Sequence, residues 1–543
     1  MPEIIRRLPS ILRGWITPNL QTFLSSREPQ LWLISVIIGL CVSIAAILFR
    51  LLILQTQWLW LGVAEETVAT SARQIHWIWI LTAPIVGGLI VGWILTRFLP
   101  ARRSYGVADV IEAKAYGGRD IELKPGLVSA IVSAISLGSG ASSGREGPMV
   151  HLGATLATAV AGKFNLPDWG RRTLLACGVA SAVSASFNAP IAGVLFAHEV
   201  VLGHYSKRAF IPIVISSVMG TIATRLWFGD AAAFSIPTHQ ITSYLEIPAF
   251  ALLGVTCGII AIVFQFSLIA TDYVARSIIL PLWLRPAIGG LMIGCIGIFL
   301  PEILGVGYEA TDMALKNQFT LTMLILLIVA KTAATSITLA SRFGGGVFSP
   351  SLYIGAMTGG AFGLIATNVF PELASSEGLY AILGMGALAA AVIGAPISTV
   401  LIVFELTGGY ALSLALLLTV SIAVGVNQAI HGRSFFQWQL ETRGLRVQDG
   451  PHRLMVRNTR VADFMEPLAE GEDSAMAPEK DVNPLRADTS LEVAMRLFDE
   501  QGLSRLPVID ARDPETIIGW ATQLAALRTY NNALVDMSVE EHR

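Results

Sequence analysis

The sequence contains little charge. Of its 543 residues, 14% are Asp, Glu, Lys or Arg, whereas 53% are hydrophobic. Because soluble domains carry about a quarter charged residues, this composition excludes an ordinary soluble protein and indicates an integral membrane protein. The formal net charge of −2 provides no positive field for nucleic acid, so we expect no nucleic-acid partner.

The sequence also lacks the usual motifs of enzymes. Its four cysteines lie in separate apolar runs and are not spaced as metal ligands. It has no phosphate-binding loop of the GxxxxGKS or GxxxxGKT type, no zinc motif and no nucleophile–base pairing. We therefore expect a protein that is not an enzyme and that needs neither a metal nor a cofactor.

Long apolar runs are what the sequence has in abundance. Many approach the roughly 20 residues that a bilayer-spanning helix needs, but several are short or interrupted by Gly and Pro. Such interruptions are typical of helices that break partway across a membrane, where exposed backbone can coordinate an ion. The predicted apolar segments are about 31–62, 75–99, 126–138, 149–163, 172–203, 209–228, 247–275, 283–301, 319–340, 351–370, 378–405 and 411–430.

An internal repeat divides this apolar part. The Ala-Pro-Ile triplet at 189–191 recurs at 395–397, and Pro148 recurs as Pro350 at nearly the same offset. Two patterns repeated in the same order indicate two homologous halves. Within 31–440, we place these halves at about 31–229 and 247–430.

Two further segments flank the apolar part. Residues 1–30 combine arginines with apolar residues at helical spacing, a pattern shared by transit peptides and by amphipathic helices on a membrane surface. We prefer the surface helix, because no apolar core with a cleavage site follows, and the basic residues fit a cytoplasmic N-terminus. Residues 453–530 return to a soluble composition and predict a small α/β module outside the membrane.

The stretch Gly144-Arg145-Glu146-Gly147-Pro148 places two charges between apolar runs. Pro148 suits the first turn of a helix, and a helix N-terminus presents free N–H groups and partial positive charge to an anion. Ionisable residues at membrane depth are usually functional. We therefore predict an anion site in which the Glu146 carboxylate occupies the place of the anion and leaves when it is protonated, which makes a pH-dependent gate.

Gly346-Val347-Phe348-Ser349-Pro350 is the equivalent station in the second half. It carries no charge, but the amides of Val347 and Phe348 are placed to donate to an anion at a helix start. Elsewhere, Ser104 is either a helix N-cap or a hydroxyl that faces the ion. We expect the repeat-related Glu199 and Glu405 to cap or pair structurally.

These motifs resemble those of the CLC family of chloride channels and chloride/proton exchangers. The stretch at 144–148 is the family's GREGP motif, 346–350 matches its GxFxP motif, and Phe187-Asn188-Ala189-Pro190 matches as well. The resemblance covers nearly all of residues 31–440. It implies an all-α polytopic membrane protein with two inverted-repeat halves of tilted, broken helices, and a homodimer with one anion pathway per subunit.

The resemblance also implies site roles, with Glu146 as the gating glutamate of a voltage- and pH-gated pathway. The resulting candidate anion-binding residues are Ser104, Tyr105, Gly106, Gly144, Arg145, Gly147, Gly346, Val347, Phe348 and Phe436.

Three departures from the family pattern bear on function. The family's GSGIP motif is replaced by residues 104–108, so that Tyr105, or Ser104 with a one-residue slip, takes the place of the anion-contacting serine. Phe436 stands where the family has a pore tyrosine, and it has no hydroxyl. Val200 stands where exchangers often carry an inner proton-relaying glutamate, and valine is typical of channel members.

The C-terminal tail resembles a CBS module at 461–465 and 502–508. One copy is evident, whereas these modules work in pairs, so pairing across a dimer is our hypothesis. Copies that bind adenine nucleotides usually carry an Asp three residues after a Ser or Thr. Here Ala525 follows Thr522, which favours a structural or trafficking role.

The leading interpretation is a chloride channel gated by Glu146, and the alternative is a chloride/proton antiporter with an unusual inner proton path. A third interpretation is a membrane-tethered regulator whose tail senses a ligand. The expected partners are chloride and other small anions, protons for the antiporter, a second copy of the chain and the lipid bilayer. We expect a bacterial inner (plasma) membrane location with cytoplasmic termini.

Overall fold

The computed structural model describes residues 15–62, 67–115, 121–230, 241, 243–372, 374–407, 412–445, 459–468, 482–509 and 516–542. The chain divides into two compact units, the second of which holds the C-terminal residues from Gln439 onward. The predicted surface helix at 1–30 lies partly outside the described residues, and its described part is helical at 15–25. The predicted module at 453–530 is likewise described in part.

From Glu28 to Glu441 the secondary structure of the described chain is helical, with short connections between the helices. In chain order they are α1 Glu28–Leu61, α2 Val68–Ala72, α3 Trp77–Phe98, α4 Val107–Ala115, α5 Leu123–Gly138, α6 Glu146–Ala161, α7 Asp168–Phe187, α8 Pro190–Phe196, α9 Lys207–Phe228, α10 Ile247–Ser277, α11 Arg285–Phe299, α12 Tyr308–Leu315, α13 Leu321–Ala340, α14 Phe348–Val369, α15 Glu377–Ile393, α16 Pro396–Thr407, α17 Ser413–Ile430 and α18 Phe435–Glu441. A π-helical turn, Ala197–Leu202, continues α8.

Seven helical segments in the described part of the chain are long and apolar enough to cross a membrane: α1, α3, α9, α10, α13, α14 and Ser413–Glu441. Shorter apolar helices such as α5 and α11 accompany them. Large apolar side chains, among them Leu33 and Phe299, are exposed, as expected of a surface that lipid covers. The prediction of an all-helical polytopic membrane protein is confirmed.

Two of the predicted apolar runs each contain a break. Helix α7 ends at Asn188 in the left-handed conformation, and α8 starts at Pro190. In the second half, α15 ends at Gly394, also left-handed, and α16 starts at Pro396. A left-handed residue followed by proline ends one helix and starts the next. The runs at 172–203 and 378–405 are therefore helix pairs, broken at repeat-equivalent positions.

Each half also contains a close crossing of two helices, at equivalent positions. A Cβ on Gly178 of α7 would lie 2.3 Å from the carbonyl oxygen of Gly153 in α6, and a Cβ on Gly384 of α15 would lie 2.4 Å from that of Gly355 in α14. Only glycine allows such backbone contact. The equivalent crossings support the two homologous halves that the repeat predicts.

The C-terminal unit is a small α/β fold. Its strands are β1 Glu466–Pro467, β2 Leu485–Arg486, β3 Arg505–Ile509 and β4 Ile517–Thr522, and its helices are α19 Leu491–Gln501 and α20 Gln523–His542. The sheet order is β1-β4-β3-β2, with β2 and β3 parallel and the other pairs antiparallel. Its core contains Leu491, Phe498, Leu506 and Val508. The two strands predicted around 506–520 are β3 and β4.

Candidate functional site

The two glycine-rich stations of the repeat meet in the structure. Gly144 donates its N–H to the carbonyl of Gly346 at 2.7 Å, and Gly346 donates to the carbonyl of Gly144 at 2.8 Å. Each glycine stands two residues before the start of a helix, α6 at Glu146 and α14 at Phe348. This bridge brings two helix N-termini together, and their partial positive charges reinforce each other. The arrangement favours a negative group between them.

The Glu146 side chain is that negative group. It is 4% exposed, and its Oε1 accepts hydrogen bonds from the hydroxyl of Ser349 at 2.5 Å and from that of Tyr308 at 3.0 Å. Its Oε2 has no hydrogen-bond partner within the described part of the chain. The carboxylate is therefore held through one oxygen only, at the start of its own helix.

Gly144 is the residue that makes room for this carboxylate. A Cβ there would lie 2.6 Å from Oε2 of Glu146, 3.1 Å from the amide nitrogen of Ser349 and 3.2 Å from the carbonyl oxygen of Gly346. These distances place the carboxylate beside the first turn of α14 as well as at the start of α6.

A cleft lies beside Tyr308, one of the two partners of Glu146. It has an empty volume of about 520 Å³ and is lined by Arg50, Arg145, Glu302 and Tyr308 among others. The guanidinium of Arg145 lies 4.8 Å from the centroid of the Tyr308 ring and donates to the carbonyl of Ser186 at 3.2 Å. Tyr308, which lines the cleft, also donates its hydroxyl to Glu146.

Of the predicted site residues at 104–106, Tyr105 contacts a later part of α6. Helix α4 starts at Val107, so Ser104 lies too early in the chain to be its N-cap. The Tyr105 ring stacks on the His151 ring, with 5.0 Å between the ring centroids and 16° between the ring planes. The backbone N–H of Tyr105 donates to the hydroxyl of Ser129. Among the described residues, no hydrogen bond joins Ser104 or Tyr105 to Glu146.

The remaining predicted residues fall in two places. Val347 and Phe348 are buried at the start of α14, and the Phe348 ring lies 5.1 Å from that of Phe187 at the end of α7. Phe436 is buried in α18, with its ring 6.3 Å from that of Phe435. Neither a hydrogen bond nor a ring contact joins Phe436 to Glu146 among the described residues.

Glu199 and Glu405 cap helices across the two halves. Glu199, in the π-helical turn that continues α8, caps the start of α16, and Glu405, in α16, caps the start of α8. Glu199 accepts from the N–H groups of Ile397 at 3.1 Å and Ser398 at 2.7 Å, and from the Ser398 hydroxyl at 2.5 Å. Glu405 accepts from the N–H groups of Ile191 at 3.0 Å and Ala192 at 2.7 Å. The expected capping role is present, and it joins α8 and α16 reciprocally.

The residues from 87 to 428, more than half of the chain, match the family model described as voltage gated chloride channel. The chain belongs to this family. CLC membership assigns it to anion transport across a membrane rather than to enzymatic catalysis.

Individual CLC proteins agree with this assignment. A ClcB-like protein of Ralstonia nicotianae is 35% identical over 70% of this chain and 90% of its own length. The H(+)/Cl(−) exchange transporter ClcA of Vibrio parahaemolyticus is 33% identical over 58% of this chain and 70% of its own length. The crystal structure of a slow cyanobacterial Cl−/H+ antiporter superposes with a TM-score of 0.69 at 24% identity, covering 78% of this chain and 99% of that one. The fold is therefore the CLC fold, with two inverted halves.

Sequence reasoning missed Tyr308 as a contact of Glu146. It lies in a separate part of the chain, at the start of α12 and directly after Gly307, whose φ is +91°. Ser349 lies inside a predicted motif, but its hydroxyl was not singled out. No local pattern marks either hydroxyl as a partner of the carboxylate, because both contacts join distant parts of the chain.

Proposed function

We propose that this protein is a chloride channel in which the Glu146 carboxylate is the gate. The observation that carries the proposal is the position of this carboxylate, at two bridged helix N-termini and bonded through one oxygen only. A carboxylate and a chloride ion compete for the same donors, because both are anions and each excludes the other. When the carboxylate is protonated it loses its charge, and the site becomes free for chloride.

The interior side of the pathway favours a channel over an exchanger. The family resemblance places an inner proton-relaying carboxylate at the position of Val200, which cannot carry a proton. Its neighbour Glu199 is the nearest replacement, but both of its oxygens accept hydrogen bonds at the start of α16. Protonating Glu199 would weaken that cap, so it is poorly suited to a relay.

The test is a coupled-flux measurement on purified full-length protein in liposomes. The liposomes carry a chloride gradient and have no other pathway for protons. We then expect chloride flux with no uphill proton movement, and a reversal potential that follows the chloride gradient alone. Uphill proton transport driven by the chloride gradient would overturn the channel proposal.

The alternative is a chloride/proton antiporter, which the name of the Vibrio relative favours. It shares the same gate and differs in a proton path that bypasses Val200. It predicts a reversal potential that shifts with the proton gradient as well as the chloride gradient. A reversal potential independent of pH on both sides would exclude it.

We further propose a homodimer in a bacterial inner membrane, with the C-terminal unit as a cytoplasmic CBS-like module. The dimer is an expectation from membership of the CLC family. Light scattering on the detergent-solubilised protein should give the mass of two chains. A monomeric mass would contradict the dimer.

Ligand sensing by the C-terminal unit is a separate question, which a titration of the full-length protein with adenine nucleotides tests.

A further inference from the structure

Lys331 is an isolated charge in the membrane part. It is the one charged residue in α13 and its exposed fraction is 0%. Burying an ammonium group in an apolar environment costs several kcal/mol unless hydrogen bonds compensate for the lost water. Charged residues inside membrane helices are usually functional, so the partners of the Lys331 ammonium are informative.

The Lys331 ammonium binds the connection between α11 and α12. It donates to the carbonyl of Ile303 at 3.0 Å and to that of Gly305 at 3.0 Å, and it lies 4.9 Å from the centroid of the Tyr353 ring. No salt bridge joins it to a carboxylate in the described ranges of the chain. All its direct partners are thus neutral groups, two of them in one short backbone segment.

The segment that Lys331 binds, residues 303–307, ends directly before Tyr308, which contacts Glu146. Gly305 and Gly307 both have left-handed backbone, with φ of +61° and +91°, and Tyr308 follows at once. A Cβ on Gly307 would lie 3.2 Å from the Lys331 nitrogen and 2.7 Å from Cδ2 of Tyr353. The lysine therefore packs against the residue that precedes Tyr308, whose hydroxyl donates to Glu146 at 3.0 Å.

We propose that Lys331 is a positioning residue of the gate, which fixes residues 303–307 so that the Tyr308 hydroxyl reaches the Glu146 carboxylate. The proposal rests on the gating role of Glu146 proposed above. It differs from a purely structural role because it predicts that Lys331 acts on the pH dependence of flux, and acts through Tyr308.

Other ionisable groups surround this path and must be kept constant. On α12 itself, Glu309 accepts from backbone N–H groups of α2, and Lys316 pairs with Asp312. Glu302 is bonded to Arg73, and Arg145 faces the Tyr308 ring. All of these side chains stay in the protein when Lys331 or Tyr308 is substituted, and the double variant decides whether a shift in the pH profile passes through Tyr308.

The experiment measures chloride flux against pH for Lys331→Met, Tyr308→Phe and the double variant, in full-length protein in liposomes. Hydrogen bonds to charged groups are stronger than those between neutral groups, and each single variant weakens or removes one such bond to the carboxylate. We therefore expect each single variant to move the pH of half-maximal flux upward by about one to two units. The double variant should move it no further than Tyr308→Phe alone, since the two changes break one path.

Additive shifts in the double variant would overturn the proposal, because they would mean that the lysine charge acts on Glu146 directly through space. An unshifted profile for Lys331→Met would overturn it as well. Lys316→Met is the matched control, since this lysine pairs with Asp312 on the same helix as Tyr308 and should leave the profile unchanged.

Two further variants keep the outcome clear. If Lys331→Met does not fold, Lys331→Gln retains a donor for one carbonyl, and we expect it to fold with a smaller upward shift; an unshifted profile in this variant counts against the proposal. Glu146→Gln separates the two proposals. If Glu146→Gln retains the wild-type pH dependence, the proposed gating function is wrong. If Glu146→Gln loses the pH dependence but the Lys331 variants show unshifted profiles, only the positioning role of Lys331 is wrong.

Discussion

Replacing Ser349 with alanine should move the pH of half-maximal chloride flux upward by about one to two units. The Ser349 hydroxyl donates to Oε1 of Glu146 at 2.5 Å, and the side chain is buried. Alanine removes this donor, keeps the backbone amide and leaves the start of α14 in place. The change therefore tests a single contact of the proposed gate.

The magnitude follows from the type of bond. A hydrogen bond to a charged group contributes about 1.5–3 kcal/mol, and about 1.36 kcal/mol corresponds to one pH unit. The sign follows from the proposed mechanism, in which the charged carboxylate closes the pathway and protonation opens it. Without Ser349 the closed, charged form loses a donor, so a lower proton concentration is enough to open the gate.

The assay is chloride efflux from liposomes over a range of pH, with the wild type measured in parallel. Ser351→Ala is the matched control, because Ser351 is buried on the same helix but its hydroxyl donates to the carbonyl of Val347. Its profile should match that of the wild type. A profile for Ser349→Ala that is unshifted, or shifted to lower pH, would refute the assignment of this contact to the gate.

Two other substitutions test neighbouring features. Glu146→Gln should leave anion flux present but insensitive to pH, because the amide cannot ionise; efflux at several pH values checks this, and a retained pH response would contradict the gating role. Glu199→Gln should destabilise the protein by about 1–2 kcal/mol, because it loses a charged cap at the start of α16. Thermal unfolding measures that loss, and any change in proton movement in the flux assay would instead point to a relay.

Much of the architecture follows from local sequence features. The scarcity of charge indicated a membrane protein, and the repeated Ala-Pro-Ile triplet indicated two halves. The Gly-rich stretches before Glu146 and Phe348 do start helices, as predicted. Hydrophobicity, proline and glycine act on the chain within a few residues, so these features can be read without knowing the packing.

Some helix breaks could not be placed from apolar runs alone. Asn188 ends α7 in the left-handed conformation inside a run that reads as continuous. Hydrophobicity reports burial in the membrane, and it stays high on both sides of such a break. The backbone conformation at the break depends on how the two helices then pack.

The partners of the proposed gate are a matter of tertiary structure. The sequence shows a carboxylate at a helix start and an equivalent station in the second half. It does not show that Gly144 and Gly346 pair, that Tyr308 and Ser349 share one carboxylate oxygen, or that Lys331 holds the connection before Tyr308. Each of these contacts joins segments that are remote in the chain. These contacts form when segments far apart in the chain pack together in the tertiary structure, and no local preference of the backbone or side chains specifies that packing.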